Sequence, residues 1–181
     1  MFKRKAIIAT MVVVATGLGW AAWRSVSTAV RPVRRAQPVL TPLLIEHAGR
    51  IDYADAWTTP IRDGEPDEPA AWVDAAMAPQ PIAEALMRIR DALVHPLGLK
   101  TAADEERPDT GFPVLAENDH EIVMGVDDKH LSFRVGITTF DAQATLTTTV
   151  TIANWFGKCY WAVVRWFHPL IVAAGLRKAH F

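Results

Sequence analysis

Two stretches of the chain carry side chains whose type and spacing could do chemistry. Asp127-Asp128-Lys129-His130 puts two carboxylates and an imidazole in one short run. Clustered carboxylates suit hard cations, and neutral imidazole suits transition metals. On a strand Asp128 and His130 share a face, but two ligands are too few for a tight site. Glu117, His120 and Glu121 join them only if neighbouring strands pair in the right register. The competing reading is a hairpin, with the aspartates bonding local backbone as turn residues. The alternation on both sides favours the hairpin, so no metal is expected. In the second stretch Lys158, Trp161, Arg165 and His168 recur at helical spacing. Facing a cavity they would read an acidic headgroup or a carboxylate; facing water they are a solvated stripe.

Other chemistry is poorly served. Cys159 has no adjacent base and reads as a small buried residue. There is no Gly-x-Ser-x-Gly, no phosphate-binding loop and no His-Glu-x-x-His, so a nucleophilic or nucleotide-driven enzyme has no motif. No catalytic residue and no cofactor are assigned. An enzyme of cyclase or hydrolase type would have to bring at least two of His130, His168 and the 127–128 carboxylates into one pocket.

These residues must be positioned by the elements around them. Residues 49–61 favour a strand through Tyr53, Trp57 and Thr58-Thr59. Residues 70–77 read as a short helix with Trp72, Val73, Ala76 and Met77 on one side. A helix is expected over 81–95, opened by Pro81, and a solvated loop over 101–111. "GFPVLAEND" and "HEIVMGVDD" read as two strands. In the next, Leu131, Phe133, Val135 and Ile137 face one way and His130, Ser132 and Arg134 the other. "DAQA" turns the chain into "TLTTTVTIA", whose threonines express β propensity. One long helix is expected over 154–179, capped by Asn154 and kinked at Pro169. It is apolar round most of its circumference, which implies burial on more than one side, with Trp155, Trp161 and Trp166 in the core. The fold class is α+β: a curved antiparallel sheet gripping a long C-terminal helix.

Charge is partitioned along the chain. Residues 1–35 carry seven Lys/Arg and no acid, residues 36–141 hold all twenty acids, and residues 142–181 carry four Lys/Arg and no acid. Basic ends suit anionic lipid headgroups, and the acidic middle argues against nucleic acid. The uncharged run Ala6 to Trp23 would rise about 27 Å as a helix, near the thickness of a hydrocarbon core. It reads as an uncleaved single-pass anchor in an inner membrane; the rival reading is a signal peptide cleaved after export. The organisation is thus residues 1–24 anchor, 25–44 proline-rich tether and 45–181 domain.

"DYADAW", "RDALVHPLGLK", "GVDDKHLSFRV" and the final helix resemble the bacterial family known as domain of unknown function 2867, over roughly residues 45–180. The most specific runs are Gly-x-Asp-Asp-x-His-Leu and Asn-x-x-Gly-x-x-Tyr. The resemblance implies a fold similar to the helix-grip lipid-transfer and cyclase folds. It supplies no catalytic residue. Function is accordingly expected to be that of a membrane-tethered, non-catalytic binder of an apolar or amphipathic small molecule. Asp128, His130, Arg134, Lys158, Trp161, Arg165 and His168 are the candidate ligand residues, and membrane lipids the expected partners. A structural or partner-binding envelope protein, its protein partner unknown, is the first alternative, and an enzyme using the same cavity the second.

Overall fold

Strict alternation of apolar and polar side chains builds an antiparallel sheet, and breaks in that alternation place its turns. In the computed structural model the described residues are 31–78, 112–179 and 181. The expected anchor, the helix over 81–95 and the loop over 101–111 lie outside them. The elements run β1 (Arg34–Ala36), α1 (Pro42–Ala48), β2 (Tyr53–Pro60), α2 (Pro69–Met77), β3 (Val114–Asn118), β4 (Glu121–Asp127), β5 (Leu131–Phe140), β6 (Gln143–Ile152), α3 (Trp155–Val164) and α4 (His168–Lys178). The strands form one six-stranded curved antiparallel sheet in the order β1-β2-β6-β5-β4-β3. The expected α+β class holds.

Register assigns every strand residue to a face. Asp55 lies opposite Thr148, Trp57 opposite Leu146, Val135 opposite Thr148 and Met124 opposite Val135. That face carries the main core, in which Trp72, Met124, Ile137 and Leu176 are almost wholly buried under α2 and α4. Each such side chain contributes about 1.5–3 kcal/mol by leaving water. A smaller cluster of Leu131, Val150 and Trp161 lies under α3. The β5–β6 loop is two residues long, with Phe140 paired to Gln143. Asp141 (φ 51°) and Ala142 (φ 53°) take the left-handed conformation that such tight hairpins demand.

Residues 31–44, expected to be an extended tether, are instead built into the fold. Arg34–Ala36 pairs with β2 as an edge strand. Thr41 caps α1 by accepting from Leu44 N, Pro42 opens the helix, and Gly49 (φ 61°) ends it. Helix α1 lies across the second face of the sheet, where Leu44 is fully buried against Gly136. Threonines of that face are covered too; Val39 N donates to Thr147 Oγ1 at 3.2 Å. Arg31, read from the sequence as a lipid-facing charge, is only 2 % exposed. Its guanidinium donates to Ala179 O (3.2 Å), to Pro60 O (3.0 Å) and to both oxygens of Glu65, and lies 4.8 Å from the Trp72 ring.

The long C-terminal helix is also corrected. It is two helices bent by 52° at residues 165–167. Pro169 lacks an N–H and would clash with the carbonyl four residues back, so the chain restarts and places Pro169 in the first turn of α4, where neither matters. Among the described residues no single helix is long and apolar enough to cross a membrane; α3 and α4 pass that test only as a bent pair, by length and composition.

Candidate functional site

Strand β2 directs Tyr53, Asp55, Trp57 and Thr59 towards the helices by its two-residue period. Asp55 is therefore a carboxylate on the core face, with its side chain 1 % exposed. Burial at such a position demands partners, and two are present. Tyr53 Oη donates to Asp55 Oδ2 at 3.0 Å, and His168 Nε2 donates to Oδ1 at 3.2 Å. His168 reaches this point because the helix break turns the chain back over β2. Trp161 covers the group, edge-on to Tyr53 with ring centroids 4.9 Å apart and 5.9 Å from His168. Burial pushes the Asp55 carboxyl up, but the hydrogen bond and charge of His168, with the Tyr53 hydroxyl, outweigh it and hold the pKa below the usual carboxylate value. Burial and the neighbouring Asp55 charge raise the Tyr53 phenol. The carboxylate orients the imidazole ring through this hydrogen bond. Tyr53 spends its hydroxyl on Asp55, so the cluster pins α4 to β2. Thr148 Oγ1, across from Asp55, is buried with no hydrogen-bond partner among the described residues, whereas the buried Trp57 indole N–H is near enough to Asp55 to help lower its carboxyl.

The Asp127–His130 run is a hairpin turn. Asp127 pairs with Ser132, and Asp128 N donates to Leu131 O at 3.0 Å. Asp128 Oδ1 accepts from Lys129 N at 2.5 Å. Hydrogen bonds from Ser132 and then Arg134 hold the Asp127 carboxyl below its ordinary pKa. The hairpin does not fold these aspartates towards Glu121, which stands at the other end of β4, about 20 Å away at the rise of an antiparallel strand. No group of three or more His, Cys, Asp or Glu fit to hold a metal occurs among the described residues.

What the hairpin does touch is the start of α3. Asn154 Nδ2 donates to Lys129 O (2.9 Å) and lies 3.1 Å from His130 Nδ1, while Asn154 Oδ1 accepts from Gly157 N at 3.0 Å. The His130 and Phe156 rings lie 4.8 Å apart. One asparagine thus caps the helix and ties it to the hairpin.

The seven candidate residues divide into separate places. Trp161 and His168 meet over Asp55, whereas Asp128 and His130 sit at the hairpin. His130 and His168 flank opposite ends of α3, a span of roughly 15 Å at the helical rise. Asp128 and His130 thus share the hairpin and His168 stands apart, and neither cleft along β1 is lined by any of them. Arg134 is on the other sheet face and is committed to structure. It donates to His47 O (2.9 Å) at the end of α1, to Val126 O and Phe133 O, and to Asp127 Oδ1 (2.7 Å). Gly125, opposite Arg134, makes room for that side chain: a β-carbon there would overlap it. Lys158 and Arg165 are exposed, the Arg165 guanidinium lying 5.3 Å from the Trp166 ring.

Two expectations about α3 are overturned. Trp155 is 74 % exposed and Trp166 69 %, so neither is core, and Cys159 is exposed rather than buried. Trp155, Cys159, Ala162 and Val163 form an outward apolar line on α3, and Trp166 in the break and Leu170 on α4 are exposed beyond it. Sequence reasoning also passed over Asp55 and Tyr53 as site residues, and weighed Glu121 only as a partner of the 127–130 run. Asp55 was legible as a charge at an inward strand position, since an acid there must be paired. Glu121 is 2 % exposed beneath α1, and burial raises its pKa against the opposing hydrogen bond from Thr41 Oγ1 (2.6 Å).

Where a cavity was expected between the sheet and the last helix, Trp161, Val150 and Leu131 pack together. Clefts open instead along β1. One of about 530 Å³ is lined by Arg35, Ala36, Gln37, Pro38, Ala54 and Asp55.

The model of one family, described as a protein of unknown function (DUF2867), matches residues 47–175, well over half of the chain. No curated protein and no solved structure matches. The matched span contains the Gly-x-Asp-Asp-x-His-Leu and Asn-x-x-Gly-x-x-Tyr runs, which the structure brings into contact through Asn154.

Proposed function

The chain belongs to the DUF2867 family, and on that premise we propose that it is a non-catalytic module that binds amphipathic lipid at a membrane surface. One observation carries this reading: Trp155 and Val163 on α3, Trp166 in the break after it and Leu170 on α4 face outward, exposed by 44 % or more at each position. Burying exposed apolar groups is favourable, and a concentration of them marks a contact surface. Its composition fits a bilayer interface. Tryptophan rings prefer the headgroup level, Lys158 and Arg165 stand among them in the chain, and residues 142–181 hold no acid. An N-terminal anchor at residues 6–23 would keep the chain at the membrane. The amphipathic ligand expected from sequence is then met on the outside of the helices, and the helix-grip likeness serves as a scaffold for them.

The test uses the full chain reconstituted into nanodiscs whose acyl chains carry bromine, which quenches indole fluorescence by contact. Trp155→Ser and Trp166→Ser are expected each to remove a quenched component, while Phe140→Ser, an exposed apolar residue on β5, leaves quenching unchanged. If Trp155 and Trp166 remain fully open to a water-soluble quencher in the nanodisc, the proposal fails.

A further inference from the structure

Strand β1 is joined to β2 residue by residue, but the stretch that follows it, residues 37–49, is held to the sheet by side chains. Val39 N donates to Thr147 Oγ1 at 3.2 Å, and Arg134 Nε donates to His47 O at 2.9 Å. Leu44 is the one buried residue of α1. A segment with so little buried apolar surface and no ladder of its own opens more readily than the strands beneath it.

Its shortest bond to the sheet goes to an acid. Glu121 opens β4 on the face that α1 covers, opposite Thr138 of β5 and Asn118 of β3. Thr41 Oγ1 donates to Glu121 Oε1 at 2.6 Å and accepts from Leu44 N at 3.0 Å. One hydroxyl thus caps α1 and binds the carboxyl group. No ion pair engages Glu121 among the described residues. Arg134, on the same face, is spent on His47 O, Val126 O, Phe133 O and Asp127. On α1, His47 Nδ1 lies 3.0 Å from Leu43 O and Glu46 is exposed. Asp119 and His120 are exposed in the β3–β4 turn, and Glu117, paired with Ile122, belongs to the other face. The carboxyl therefore responds to burial first and to Thr41 second, and to no charge. Ionised, it is a buried anion with one neutral donor, which is costly. Protonated, it keeps the same contact, because the Thr41 oxygen accepts as well as donates. Lifting α1 returns the anion to water.

From this geometry we infer that α1 is a proton-linked strap, which Glu121 holds shut when neutral and lets lift as it ionises. Opening uncovers Thr147 and Thr149, both almost wholly buried in the closed fold, and frees the Arg134 guanidinium from His47 O. Closure raises the Glu121 pKa above 4.5, so the closed strap is favoured in acid. That preference is lost as pH rises from 4.5 through the pKa of the closed form. The strap is independent of the membrane-surface reading and lies on the opposite face of the sheet from α3 and α4.

The experiment is hydrogen–deuterium exchange of the full chain in detergent, read by mass spectrometry across a pH series that brackets 4.5. Rates are corrected for the intrinsic pH dependence of amide exchange. Protection of the amides of residues 43–49 is expected to fall as pH rises above 4.5, by at most about tenfold per pH unit, the limit for one proton. Protection of residues 144–150, in the middle of β6, should stay constant over the same range. Glu121→Gln should make the protection of α1 independent of pH and hold it near the wild-type acid value. A pH-independent α1 in the wild-type chain overturns the strap, and so does a pH dependence that survives in Glu121→Gln. Loss of protection in α1 and β6 together would tie the proton to global unfolding and overturn it as well. Should Glu121→Gln fail to fold, the wild-type comparison of α1 with β6 decides alone.

Discussion

The α-carbon of Gly157 lies against the backbone carbonyl of His130, so closely that a β-carbon at position 157 would overlap that oxygen. The same carbonyl accepts from Ala153 N at 2.9 Å. The first turn of α3 therefore rests on the hairpin backbone, and Asn154 fastens the two from the side. This relationship gives the runs at 125–131 and 154–160 a common structural task.

Gly157→Ala should destabilise the fold by about 1–3 kcal/mol, the usual cost of overpacking a site that cannot relax. The obstruction is main chain rather than a flexible side chain. Asn154→Ala should cost about 1 kcal/mol for the lost cap, and Asn154→Asp should restore the cap to Gly157 N but not the tie to Lys129 O, because a carboxylate has no donor. Chemical denaturation of the three variants checks the order.

Asp55 supports a pH prediction. Its folded pKa is depressed below the unfolded value of 3.8, so its contribution to stability is full above that value and is lost as pH falls through the folded pKa. His168→Ala removes the group that most lowers the carboxyl while leaving it buried. The acid-induced loss of stability should then begin at higher pH than in wild type. Asp55→Asn should cost about 2–4 kcal/mol at neutral pH and flatten the acid limb. Thermal melts across acidic pH distinguish the two variants.

Glu121 has the opposite sign. Its folded pKa is raised above 4.5 by burial, so stability is lost as pH rises from that value through the folded pKa. Glu121→Gln keeps an acceptor for Thr41 Oγ1 and removes the buried charge. The variant should be more stable than wild type at neutral pH, and the gap should close in acid. A pH series of unfolding free energies reads both features.

Arg31 joins the end of β2, Glu65 and Ala179. Arg31→Ala should cost about 3–5 kcal/mol, because the groups it satisfies lose their partner in the interior. Arg31→Lys should rescue little, since an ammonium cannot reproduce the fork. Faster limited proteolysis at the C-terminal end, beside Ala179, is the accompanying signature.

The Asp141-Ala142 turn offers a gain. Ala142 holds a left-handed conformation that costs a non-glycine residue about 1–2 kcal/mol. Ala142→Gly should raise the melting temperature by a few degrees without altering the lipid contacts proposed for α3.

Local pattern explains why much of the fold was readable in advance. Strands β2 to β6 follow from two-residue alternation, α2 from the spacing of Trp72, Val73 and Ala76, and the 127–130 hairpin from turn residues between alternating runs. Helix α1 was readable as well, since Thr41-Pro42 and Gly49 are start and stop signals; the prolines around it suggested a tether instead. Seven candidate ligand residues were less secure. Arg134 looked like a free cation on a polar face, and only the arrival of α1 over that face turned it into a cap for His47 O.

The amino-acid order by itself determined the element types, the two faces of each strand, the hairpin at Asp127–His130 and the family, because these depend on residues close together in the chain. Tertiary structure alone decided that Asp55 meets His168, that Asn154 meets His130, and that Trp161 is buried while Trp155 and Trp166 face outward. Periodicity states which residues share a face of a helix. It does not state which face the rest of the chain will cover, since that depends on how the bend before Pro169 aims α4 at the sheet.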